Sequence, residues 1–129
     1  MPSWSAKRQE DNVKNPKLRL KLTFDSGLTV GPGKADLLQG IATDGSISAA
    51  GRRMRMSYKR AWMLVEEMNA AFETPLVESS RGGASGGGAR LTEAGEAVLA
   101  HYRKLETITL AHGADEISGI TRLLKDETD

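Results

Sequence analysis

Two serines, Ser46 and Ser57, constrain this chain more than any other feature of it. Each stands where a helix can begin, because a serine hydroxyl accepts one of the amide hydrogens that a first helical turn leaves free. After Ser46, the residues Ile47, Ala50, Gly51 and Met54 recur at the spacing of one inward helix face. The pattern breaks over Met54-Arg55-Met56 and restarts at Ser57, where Ala61, Leu64, Val65, Met68 and Phe72 form a second buried stripe. Tyr58, Lys59, Trp62, Met63 and Glu66 stay on or near the other side, and Thr74-Pro75 ends the helix.

The flanks complete the pattern. Leu18 to Phe24 alternates strictly, with Leu18, Leu20, Leu22 and Phe24 on one face, which predicts a half-buried strand. Gly31-Pro32 opens a helix with Leu37, Leu38 and Ile41 inside; it stops near Thr43, and Gly45 suits a left-handed cap. Beyond Pro75, LVESSR and ARLT read as strands on either side of GGASGGG, a hairpin with a flexible tip. Thr92 caps a long helix. There Ala94, Val98, His101, Leu105 and Ile108 step by fours and threes, as in a helix that meets a partner helix. Gly113 breaks it, and Ile117, Ile120 and Leu124 stripe one more segment.

The expected fold is therefore mainly α. It is a winged helix-turn-helix with an N-terminal strand, a glycine-rich β-hairpin wing and a long C-terminal dimerisation helix. The expected division is a disordered segment at 1–16, the winged helix-turn-helix at 17–92, dimerisation helices at 93–125 and a frayed tail at 126–129.

Composition removes several classes of function. The chain of 129 residues is long enough for one modest domain. It has no cysteine, which excludes disulfides, thiolate metal sites and a cysteine nucleophile. Two histidines, His101 and His112, make a histidine-rich metal site unexpected. No apolar run reaches membrane-spanning length and the first residues lack a signal peptide's hydrophobic stretch, so a cytoplasmic protein without membrane contact is expected. The glycine loop lacks the G-x-x-x-x-G-K-[ST] spacing of a nucleotide-phosphate loop. With no base, nucleophile or metal set, the chain is read as no enzyme, and no cofactor is expected.

The formal net charge is only +1, so the position of the charges decides. From Gly45 to Met63 there are five cations, Arg52, Arg53, Arg55, Lys59 and Arg60, and no acid. A recognition helix enters the major groove with its N-terminal residues, where cations and donors belong. Ser57, Tyr58, Lys59 and Arg60 are the expected base contacts on double-stranded DNA. Ser46, Arg52, Arg53 and Arg55, with Arg81 and Arg90 flanking the wing, are the expected phosphate contacts. Trp62 falls between the buried and exposed faces, as packing or as a DNA contact; His101 and Tyr102 suit either a dimer interface or the core. The other reading of the basic helix is a protein–protein interaction module that docks an acidic partner.

GSISAAGRRMRMSYKRAWMLVEEMN, followed by PLVESSRGGASGGGARLTEAG, resembles the N-terminal DNA-binding domain of the ModE-type molybdate-dependent transcription regulators. The general pattern, GSISAA with a later PL and RLTEAG, is also similar to the helix-turn-helix of LysR-type regulators. The resemblance implies a homodimer formed through the first and last helices, on which Leu37, Val98, His101, Tyr102, Leu105 and Ile108 are the expected contacts. It also implies a palindromic operator near molybdenum transport or molybdoenzyme genes. The sequence stops short of the family's C-terminal oxyanion-binding domain, so molybdate binding by this chain is not expected.

Overall fold

Local chemistry sets most of the element boundaries in the computed structural model, which describes residues 16–80 and 87–125. In chain order these are β1 (Leu22–Thr23), β2 (Thr29–Val30), α1 (Pro32–Asp44), α2 (Ile47–Arg53), α3 (Tyr58–Ala71), β3 (Val77–Ser80), β4 (Gly88–Leu91), α4 (Glu93–His112) and α5 (Ala114–Thr121). Pro32 opens α1 at a position whose N–H would have no partner in the helix. Gly45 closes it at φ 72°, a left-handed backbone that costs little without a Cβ, and donates its N–H to Ile41 O. Ser46 Oγ accepts the Ala49 N–H at 3.0 Å to open α2, and Ser57 Oγ accepts the Arg60 N–H at 3.1 Å to open α3. Thr92 Oγ1 does the same for Gly95 N–H at 3.0 Å, at the start of α4.

The larger of two units spans Arg19–Lys104. Its core is built from the expected stripes: Leu37, Leu38 and Ile41 of α1, Val65 and Met68 of α3, and Leu76 before β3 are its largest fully buried side chains. Burying each such side chain contributes about 1.5–3 kcal/mol, which is what holds short helices together. The wing is antiparallel, with Val77 opposite Leu91 and Ser80 opposite Gly88. It is tied to the turn between α1 and α2 by Ala89 N–H donating to Gly45 O at 2.9 Å. Leu99 and Tyr102 of α4 also lie in this core, and the Tyr102 hydroxyl donates to Leu20 O at 2.6 Å.

Two expectations change at the N-terminal end. The strand is two residues long rather than seven, and it pairs with β2, which the pattern did not announce. Leu20 packs on the core, whereas Leu22 and Phe24 are exposed. A ladder of two residue pairs is too short to carry the whole alternating face over the helices.

Of the smaller unit, residues 16–18 and 105–125 are described. Gly113 separates α4 from α5, with its N–H held by Thr109 O at 2.7 Å. Ile117 is half-buried, Ile120 is exposed, and Leu124 lies beyond the end of α5 rather than on its stripe. Among the described residues, no helix is long and apolar enough to cross a membrane. The expected disordered lead-in, the wing tip with Arg81, and the frayed tail fall outside the described residues, except for Pro16 and Gly87–Gly88.

Candidate nucleic-acid interface

The first turn of α3 stands out from the core on the side away from Ala61, Val65 and Met68. Ser57, Tyr58, Lys59 and Arg60 are all exposed, and among the described residues Lys59 and Arg60 have no ion-pair partner. Tyr58 sets its ring edge-on to Trp62, with centroids 6.1 Å apart. Trp62 itself packs against the core, and its buried indole N–H has no hydrogen-bond partner among the described residues. Of the two roles open to it, packing is the one observed. The exposed phenol is thus braced from below by a fixed ring.

The expected phosphate contacts separate into three kinds. Arg52 is exposed, and its guanidinium lies 3.4 Å from Ser48 Oγ. Ser46 spends its hydroxyl on the α2 cap, at the rim of an open cleft of about 610 Å³ that Ser48, Tyr58, Trp62, Ser79 and Gly88 also line. Arg53 is not a free cation: its guanidinium grips both carboxylate oxygens of Asp44 at the end of α1. That hydrogen-bonded pairing holds the Asp44 carboxyl below its ordinary value and raises Arg53. A depressed carboxylate contributes its stability above the unfolded value and loses it as pH falls through the folded one. The pair therefore ties α1 to α2 at neutral pH and opens in acid. Arg90 pairs with Glu78 across the wing at 3.2 Å, but both side chains are more than half exposed. An exposed pair of this kind adds at most about 1 kcal/mol, so a phosphate competes readily for the arginine.

Arg55, exposed like Arg52, was an expected phosphate contact, but its backbone was not foreseen. It sits at φ 59°, and among the described residues no other non-glycine residue has a positive φ. The Met56 N–H reaches back to Gly51 O at 2.9 Å and the Arg55 N–H to Arg52 O at 3.0 Å, the two bonds of a Schellman ending to α2. Glycine usually fills that place, because a Cβ in the left-handed region costs about 1 kcal/mol or more. Arg55→Gly is expected to raise stability by roughly 0.5–1 kcal/mol. The same variant should lower DNA affinity and shrink the slope of log affinity against log salt by about one. Thermal melting and salt-dependent titration read the two effects; a variant that melts lower, or binds as well, would show that the arginine is not held there for its charge.

Two further residues, Asn69 and Lys34, orient the helix and were not singled out from the sequence. Asn69 Oδ1 accepts the Leu76 and Val77 N–H groups at 2.8 and 3.1 Å, and its Nδ2 donates to Val77 O at 3.0 Å. The recognition helix is thereby clamped to the wing. Lys34, only 8% exposed, donates to Thr29 O at 2.7 Å and meets Glu67 at 3.2 Å. The acidic end of α3 is thus partly a counter-charge for a buried lysine. A buried amine needs such partners, since it is costly to desolvate alone.

Two expected dimer contacts are corrected. Leu37 is fully buried and Tyr102 is 3% exposed with its hydroxyl bonded, so both belong to the core of this unit. Val98 packs partly on that core, while His101 and Ile108 remain exposed and Leu105 half-buried.

Comparison with known proteins agrees with this architecture. The model of the bacterial regulatory helix-turn-helix proteins of the LysR family matches residues 35–96, from the body of α1 to the first turn of α4. The molybdenum-pterin-binding protein MopA of Rhodobacter capsulatus is 47% identical over 88 residues, or 67% of this chain and 33% of that protein. The molybdenum transport protein ModE of Azotobacter vinelandii is 39% identical over 88 residues, covering 68% of this chain and 33% of its own. The DNA-binding transcriptional dual regulator ModE of Escherichia coli is 39% identical over 92 residues, 71% of this chain and 35% of that one. The chain spans about a third of the length of these curated relatives. With the capped helix pair, the hairpin and the exposed basic turn in place, this part of the chain is a winged helix-turn-helix of the kind found as the N-terminal DNA-binding domain of ModE-type proteins.

Proposed function

We propose that the chain is a homodimeric, sequence-specific transcription regulator that acts in the cytoplasm, with α3 in the major groove and the β3–β4 wing on the adjacent backbone. One observation carries the reading: the first turn of α3 presents Lys59 and Arg60 outward and unpaired among the described residues. The names of the relatives, which speak of molybdenum transport and molybdenum-pterin binding, support target genes connected with molybdenum handling. The two-chain state is supported by the outward stripe of α4, where His101, Leu105 and Ile108 follow Val98 and leave apolar surface uncovered. Sedimentation equilibrium is expected to give twice the mass of the chain; a single-chain mass at micromolar concentration sinks the dimer.

Base and phosphate roles are separated by titrating selected and random duplexes. Lys59→Ala and Arg60→Ala are each expected to lose roughly 1–3 kcal/mol of preference for the selected site. Arg52→Ala should weaken both duplexes alike. Equal loss of preference in all three variants overturns the division of roles. A log–log salt slope near zero for the unaltered chain would instead favour an acidic protein partner, because phosphate contacts release counterions.

A further inference from the structure

Met63 is 52% exposed on α3, an apolar side chain with no place in the roles given above. Its direction is informative. At about 100° per residue, Met63 projects between Lys59 and Arg60, and almost opposite the middle of the buried Ala61–Val65–Met68 stripe. The other side chains on that outward strip are Glu66, Glu67 and Ala70: two acids, one of them held by Lys34, and a single methyl. Any pose that lets Lys59 and Arg60 reach base edges therefore brings Met63 down between them, one turn further along the groove floor. The floor of the major groove presents one apolar group among the standard bases, the C5-methyl of thymine. A carboxylate or an ammonium gains nothing from that methyl, whereas a flexible thioether chain covers it well.

We propose that Met63 is a specificity-determining residue that reads the C5-methyl group of a thymine. The inference rests on the DNA-binding reading above. The methyl lies within about two base-pair steps of the base that Lys59 contacts, since one helical turn advances about 5.4 Å. Removing one buried methyl from such a contact is expected to weaken binding about fourfold.

The test uses a duplex selected by the full chain from random sequence, with each thymine replaced in turn by deoxyuridine, which keeps the base pair and lacks the methyl. The unaltered chain is expected to lose about fourfold at one position of each half-site. Met63→Leu should keep that penalty and Met63→Ala should abolish it, while both keep the penalty for losing the Lys59 contact. A methyl penalty that persists undiminished in Met63→Ala overturns the proposal, as does a selected site in which no thymine near the Lys59 base is methyl-sensitive. Failure to enrich any sequence is a different result: it removes the regulator reading itself, and this inference with it.

Discussion

Gly95→Ala is expected to lower the melting temperature of the larger unit by roughly 15 °C or more, if the variant folds at all. A Cβ built on Gly95 would stand 2.1 Å from Leu76 O and 3.0 Å from Leu76 C. The obstacle is main chain, and it is fixed from three sides. Leu76 is fully buried, its N–H is held by Asn69, and its carbonyl accepts the Thr92 N–H at 2.9 Å. Neither α4 nor the strand can withdraw without breaking the wing's attachment, so the cost lies at or above the top of the usual overpacking range of about 1–3 kcal/mol. The same substitution at Gly33, in the first turn of α1 with nothing within 4 Å, is expected to stabilise by roughly 0.5–1 kcal/mol through helix propensity alone. Thermal unfolding followed by circular dichroism compares the two. A Gly95→Ala protein that melts within a few degrees of the unaltered chain would show that α4 does not pass so close to β3.

What the sequence told and what it withheld follow from range. Ser46, Ser57 and Thr92 were legible as caps because each acts on an amide three residues ahead. The stripes of α1 and α3 were legible because periodicity reports which residues share a face. It does not report what covers that face. Leu22 and Phe24 alternate as a buried strand should and yet lie open, while Leu37 and Tyr102 are inward against their own unit rather than a second chain. The acid-free window from Gly45 to Met63 began one residue after Asp44, and only the packing of α2 on α1 reveals that Arg53 spends its charge there. Arg55 carries no local signal either, since the residue that usually marks a left-handed helix end is missing from the place where the backbone adopts one. Cross-element pairings of this sort depend on how helices meet, which no window of sequence contains.

Asn69 shows how such a pairing connects stability to the interface. Its side chain satisfies the Leu76 N–H, the Val77 N–H and the Val77 carbonyl at once, and those residues are 0% and 4% exposed. Asn69→Ala leaves all three groups without that partner where water has little access, at about 1–3 kcal/mol for each buried group left unpaired, so a loss of roughly 3 kcal/mol or more is expected. Asn69→Asp keeps the two accepted bonds but sets a carboxylate oxygen against the Val77 carbonyl, and should fall between the alanine variant and the unaltered chain. The functional signature is separate from the melting temperature. Because the clamp fixes the angle between α3 and the wing, its loss should weaken binding to the selected duplex in conditions where the variant is still folded. No cation has been removed, so the slope of log affinity against log salt should not change, unlike the Arg52 and Arg55 variants. An Asn69→Ala protein that melts like the unaltered chain, or whose salt slope drops with its affinity, would show that the asparagine does not set the wing against the recognition helix.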